Sequence, residues 1–146
     1  MSDHNQFSIR LELMEDYLFK IDFGEFGDVL TDEPPPLGKG EGPNPARMVA
    51  AAVGNCLCAS LLFALRKKKD QPGNIQATVT GQLERIDGRW RIGKLDVVMQ
   101  VANPDSLSHL PSALEQFEDF CVVTQSIRQG IPVNVTVQDT AGNTLQ

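Results

Sequence analysis

A chain of 146 residues with 41% hydrophobic and 22% charged side chains has the size and composition of one soluble globular domain, spanning 1–146, and excludes a fibrous or disordered class. Thirteen basic against nineteen acidic side chains leave a net charge of −6, which repels phosphate backbones and anionic lipid surfaces, so neither nucleic acid nor a membrane is expected as a partner. Three cysteines, an odd number, and a polar start without an apolar leader core point to a cytoplasmic protein with reduced thiols, not an extracellular disulfide scaffold.

In chain order, Phe7, Ile9, Leu11 and Leu13 alternate with polar residues. Tyr17, Phe19, Ile21 and Phe23 do the same after the break at 14–16, which predicts two half-buried strands forming a hairpin. Residues 32–45, DEPPPLGKGEGPNP, are dense in proline and glycine and predict an ordered loop, long enough to serve function or a subunit contact. Asn44-Pro45 is a strong helix start, because the Asn side chain can accept an unpaired N–H and Pro at the first helical position lacks the donor that would go unused. The apolar run that follows predicts one long helix from about Pro45 to about Lys68, stopped at Gln71-Pro72-Gly73, with Arg66 to Lys69 complementing the negative end of its dipole. Met48–Leu65 has the length of a membrane span, but Gly54, Asn55 and Ser60 within it and strands on both sides favour a buried central helix.

Ile75 to Leu83 alternate, Asp87-Gly88 supplies a hairpin turn, and Trp90 to Val101 return as a second strand. A second helix is expected to open at Asn103-Pro104-Asp105-Ser106, with Leu107, Leu110, Leu114, Phe117 and Phe120 on one face. At Cys121 that helix either continues or breaks into a further one, CVVTQSIRQG, ended by Gly130. Val133, Val135 and Val137 predict a last strand, and DTAGNTLQ a mobile tail. Strands, helix, strands, helices, strand is the order of an α+β fold with an antiparallel-rich sheet, not of a doubly wound parallel one.

The cysteines carry the candidate chemistry. Cys56 and Cys58 lie two apart on a helix, about 200° around its axis, so they can neither share one metal ion nor form a disulfide with each other. His4 and His109 have no ligand-like spacing to them, and no metal is expected. Cys56 lies on the face of Val49, Val53, Ser60 and Phe63, and Cys58 with Leu61, Leu62 and Leu65. Cys58 therefore reads as a small core residue. If a helix starts at Cys121, its sulfur sits near unpaired N–H groups, a setting that lowers a thiol pKa; a continuous helix removes that effect. Cys56 and Cys121, on two packed helices, would suit a redox pair in which one sulfur is oxidised and the other resolves it.

GPNPARMVAAAVGNC, a Gly/Pro loop and Asn-Pro opening an alanine-rich helix with a cysteine about three turns in, resembles the OsmC/Ohr family of organic hydroperoxide reductases. So does FEDFCVVTQSIRQGIPVNVTV, a cysteine heading a short helix that leads to a final strand. The resemblance implies an α+β, OsmC-like fold with a long central helix, built as an intertwined homodimer, and a thiol peroxidase without haem, flavin or metal. Counted from Pro45, the family's first reactive cysteine falls on Cys56, and Cys121 takes the place of the resolving one. The implied partners are an organic hydroperoxide substrate and an external dithiol reductant, in an antioxidant role. The peroxidase branches carry Glu after Asn-Pro, paired with an Arg from the amino-terminal hairpin; here Ala46 follows, and the hairpin has no Arg after Arg10. That departure keeps a second function in view, a small-molecule or thiol-binding protein on the same scaffold with little turnover.

Overall fold

The computed structural model describes residues 5–146; His4 lies outside them. Five strands, β1 (Arg10–Glu15), β2 (Leu18–Asp22), β3 (Asp28–Thr31), β4 (Ile75–Ile86) and β5 (Arg89–Val101), accompany three α-helices, α1 (Pro45–Lys67), α2 (Leu110–Gln116) and α3 (Val122–Gln129). Both sheets are built from neighbours in sequence, in the orders β1-β2-β3 and β4-β5. The chain forms two compact units, one of residues up to Asn55 with Ile75–Gln100, the other of Cys56–Asn74 with Val101–Gln146.

In the first unit, β2 is the middle strand, antiparallel to both neighbours, with Leu11 opposite Ile21 and Ile21 opposite Val29. The register slips between Leu13 and Glu15, and Asp16 turns the chain in the left-handed region at φ 46°. The third strand is absent from the sequence expectation. It is four residues long and follows a 3-10 turn at Gly24–Phe26 whose entry is fixed by the Gly24 N–H donating to Asp22 Oδ1 at 2.7 Å. Asp87 and Gly88, at φ 53° and 76°, make the β4-β5 turn expected of this pair, since both central residues need positive φ.

The loop after β3 is organised by one buried carboxylate. Asp32 accepts the backbone N–H groups of Glu33 (2.8 Å), Lys39 (3.3 Å) and Glu41 (3.0 Å). Those bonds, the Glu41 one foremost, hold its pKa below the ordinary carboxylate value against the opposing effect of burial. Gly38 faces this carboxylate so closely that any side chain there would displace it. The loop ends at Asn44, whose Oδ1 accepts the Arg47 N–H at 3.0 Å and so caps α1. Gly54 lets this part of α1 approach β4, because a Cβ there would come within 2.8 Å of Val79 Cγ2.

In the second unit, Leu57, Ser60, Leu61, Ala64 and Leu65 form the buried stripe of α1 at three- and four-residue spacing, the signature of a helix with one face in a core. Leu107, Ala113, Phe117, Cys121 and Thr124 are the buried residues from the carboxy-terminal segment. α1 is also long and apolar enough to cross a membrane, with a mean hydropathy of 2.1. It ends in a Schellman arrangement: Asp70 N–H donates to Leu65 O and Lys69 N–H to Arg66 O, with Lys69 left-handed at φ 67°.

Three expectations for this region are corrected. The second helix does not begin at Ser106: a 3-10 turn occupies Pro104–Ser106, and α2 starts at Leu110 with Pro111 in its first turn. Of the two alternatives at Cys121 the break is the one found: a 3-10 turn occupies Phe117–Phe120, so Cys121 heads α3. Val133, Val135 and Val137 form no strand; a strand needs a hydrogen-bonding neighbour, and none of the strands of the described residues pairs with this segment. The last residues fold back instead of trailing, with Asp139 accepting the Ala141 and Asn143 N–H groups and a bridge joining Gln138 to Thr144.

Candidate active site

Cys121 has the most distinctive surroundings of the three thiols. It takes an extended conformation, φ −82° and ψ 97°, between the 3-10 turn and α3, and its carbonyl accepts the Gln125 N–H at 3.0 Å to open the helix. The segment is braced by Arg128, which donates to Glu118 Oε1 at 2.7 Å, and by Gln125 Nε2, which donates to the Glu118 carbonyl at 3.1 Å. Cys121 is 0% exposed. Its thiol donates to Thr124 Oγ1 at 3.0 Å, a contact that the three-residue spacing on the first turn of α3 makes possible.

Burial is the largest single influence on the Cys121 thiol and pushes its pKa up, but it is outweighed. The Thr124 hydroxyl, the Cys56 side chain and the Ser60 hydroxyl all favour the thiolate, and the net direction is downward. The Thr124 backbone N–H acts in the same sense without closing a capping bond in this state. All of these partners are uncharged.

Cys56 is therefore brought to Cys121, from the side of α1 that also carries Ser60 one turn further on. Cys56 and Cys58 are both half-buried, flanking Leu57 of the core stripe on either side. Cys58 has no hydroxyl or thiol partner to offset burial, which raises its pKa. Next to the Cys56 and Cys121 pair in sequence and helical position, Phe63 and Phe120 meet edge to face with ring centroids 5.1 Å apart, and the Lys67 ammonium lies 5.1 Å from the Phe120 ring. Phe63 remains about half exposed.

Ser60 and Thr124 are the site residues that sequence reasoning passed over. Ser60 had been grouped with Cys56 by helical position, and Thr124 stands at the third helical position after Cys121, where an N-cap side chain finds its partner; both signals pointed to this cluster. In the other unit, Asn44, Ala46 and Arg47 line a cleft of about 360 Å³ with Val79, Gln82 and Leu95. Ala46 presents only a methyl group to it. His109 is occupied elsewhere, against Asp70, and among the described residues no three His, Cys, Asp or Glu side chains gather as metal ligands would.

The family described as OsmC-like protein matches residues 38–136, a span that contains the latter part of the proline-glycine loop, the Asn44 cap, all three cysteines and α3. This chain belongs to the OsmC family. Solved OsmC structures share its architecture of antiparallel sheets and a long helix. The OsmC-like protein from Mycoplasma pneumoniae superposes with a TM-score of 0.71 at 16% identity, covering 86% of this chain and 89% of the other. A putative osmotic stress induced and detoxification response protein from Psychrobacter arcticus gives 0.69 at 16% identity, over 83% and 88%. The organic hydroperoxide resistance protein OhrB of Bacillus subtilis gives 0.61 at 19% identity, over 88% and 96%. No curated protein sequence matches the chain.

Proposed function

We propose that this OsmC-family protein is a cysteine-based thiol peroxidase that reduces organic hydroperoxides, with Cys56 as the oxidised sulfur and Cys121 as the resolving one. The observation that carries the reading is that the Cys56 side chain, from α1, is among the neighbours that favour the thiolate of Cys121, the buried sulfur at the head of α3. Membership of a family whose solved members include organic hydroperoxide resistance proteins supports it. The deprotonated Cys56 sulfur attacks the distal peroxide oxygen, the O–O bond breaks, and the alkoxide leaves as an alcohol after protonation. The Cys56 sulfenic acid then condenses with the Cys121 thiol, releasing water and forming a disulfide. A dithiol reductant returns both sulfurs to thiols and leaves as its own disulfide. Half-exposed Phe63 and its partner Phe120 favour an apolar peroxide substituent over hydrogen peroxide.

Homodimer formation and a cytoplasmic setting complete the reading. The apolar side chains of β1 and of Val133 and Val135 stay exposed in the single chain, with Leu11 at 56% and Val133 at 81%, and a second copy would give both a neighbour.

A second reading rests on one observation: Ala46, not the Glu that the family resemblance implies, follows Asn44-Pro45. On that reading the protein is a binder of small apolar or thiol-bearing molecules with little turnover.

Consumption of cumene hydroperoxide in the presence of dithiothreitol separates the two. The peroxidase shows catalytic turnover that Cys56→Ser abolishes and that Cys58→Ser leaves close to the parent rate; with dithiothreitol omitted, Cys121→Ser consumes one equivalent of peroxide and leaves a trappable sulfenic acid. Absence of turnover, or equal loss from Cys58→Ser and Cys56→Ser, contradicts the assignment.

A further inference from the structure

The two sulfurs of the candidate pair differ in access and in company. Cys121 is sealed from solvent, whereas Cys56 is half-buried on α1. Thr124 Oγ1 stands 3.0 Å from the Cys121 sulfur, and Thr124 itself is only 6% exposed, as is Ser60, so neither hydroxyl is free to spend its hydrogen on bulk water. A disulfide is opened by attack on one sulfur and departure of the other; access decides which is attacked, and stabilisation of the thiolate decides which leaves well.

We infer that Thr124 is a positioning residue for Cys121 and that it directs the reductive half-cycle: the reductant attacks the Cys56 sulfur, and Cys121 departs as a thiolate received by the Thr124 hydroxyl. The inference rests on the Cys56–Cys121 pairing of the proposed function. In the first step a reductant thiolate forms a bond to Cys56 Sγ while the Cys56–Cys121 bond breaks, its electron pair going to Cys121. The Thr124 hydroxyl, acceptor from the thiol in the reduced protein, turns to donate to that thiolate, with Ser60 as a second donor. In the next step the reductant's other thiolate attacks its own sulfur in the mixed disulfide, releasing Cys56 as a thiolate and the reductant as a cyclic disulfide. Two electrons pass from the dithiol to the protein. The head of α3 adds to the asymmetry, because the positive end of a helix favours negative charge on its N-cap sulfur. Attack at Cys121 would instead require α3 to open, and would expel Cys56.

The test generates the disulfide with diamide, so that it does not depend on peroxide chemistry, and cleaves it with glutathione under rapid acid quench and non-reducing peptide mapping. The expected adduct is glutathione on Cys56 with Cys121 free; glutathione on Cys121 overturns the inference. A disulfide that forms with diamide but not with cumene hydroperoxide sinks the peroxidase reading while the adduct position still decides the inference. No Cys56–Cys121 disulfide under either oxidant sinks both. Thr124→Val should slow glutathione cleavage roughly three- to tenfold at neutral pH and Thr124→Ser should restore it, following the leaving-group dependence of the exchange. In a Cys56→Ser, Cys58→Ser background the thiolate absorbance of Cys121 should titrate at higher pH with Thr124→Val than with Thr124 or Ser. Unchanged cleavage and titration in the Val variant contradict the role given to Thr124.

Discussion

Asp70, just beyond the end of α1, accepts the His109 backbone N–H through Oδ2 at 2.8 Å and lies with Oδ1 3.4 Å from the His109 ring Nδ1. The two residues are thirty-nine apart in sequence, so this contact joins the end of the long helix to the start of α2 in the unit that carries the three cysteines.

The His109 backbone bond is the main reason the Asp70 carboxyl titrates below its ordinary value, with the imidazole adding in the same direction and burial opposing. A carboxylate whose folded pKa is depressed contributes stability above its unfolded pKa and loses it as pH falls through the folded value. Asp70→Ala should therefore lower the melting temperature at neutral pH, and the difference from the parent should shrink as pH falls below the ordinary carboxylate value. A difference independent of pH, followed by circular dichroism, would show that Asp70 acts in some other way.

Asp32, itself buried, gathers three backbone N–H groups of the loop that leads to α1. Asp32→Ala should release the amides of Glu33, Lys39 and Glu41 to fast hydrogen exchange. The amides of α1 around Leu57 to Leu65 should exchange as before. Unchanged protection at the three loop amides would contradict the organising role.

The helix core offers a stability test. Leu65 is 0% exposed, and truncating a fully buried leucine to alanine costs about 2–5 kcal/mol through lost transfer energy and an unfilled cavity. Leu65→Ala should lower the unfolding free energy by that amount, seen as a lower urea midpoint at an unchanged slope. Leu62, only half-buried on the flank, should cost less on the same substitution. Equal costs would mean that the stripe is wrongly placed.

Much of this organisation was legible in the residues. Asn44-Pro45 set the start of α1 because capping chemistry is local, and the β4-β5 turn was legible because Asp87-Gly88 suits the positive φ it needs. The pairing of Cys56 with Cys121 comes from resemblance more than from periodicity, since no local rule links residues sixty-five apart. What escaped depended on partners that sequence spacing does not reveal. Strand β3 is four residues long and exists because β2 offers it an edge. The valine alternation at 133–137 has the pattern of a strand, but among the described residues no strand pairs with it and only Val137 bonds to the folded-back tail, at Leu145 and Gln146. The late start of α2 reflects Pro111, whose missing donor is harmless only in a helix's first turn. Thr124 partners the sulfur because α3 begins at Cys121, which sets a hydroxyl three residues on beside it, and spacing alone left that start open.

The most direct measurement is a non-reducing peptide map after one equivalent of cumene hydroperoxide has been added to the fully reduced protein. The account predicts a single linkage joining the Cys56 peptide to the Cys121 peptide within one chain, with Cys58 recovered as a free thiol. Three free thiols, or a linkage that includes Cys58, would contradict it.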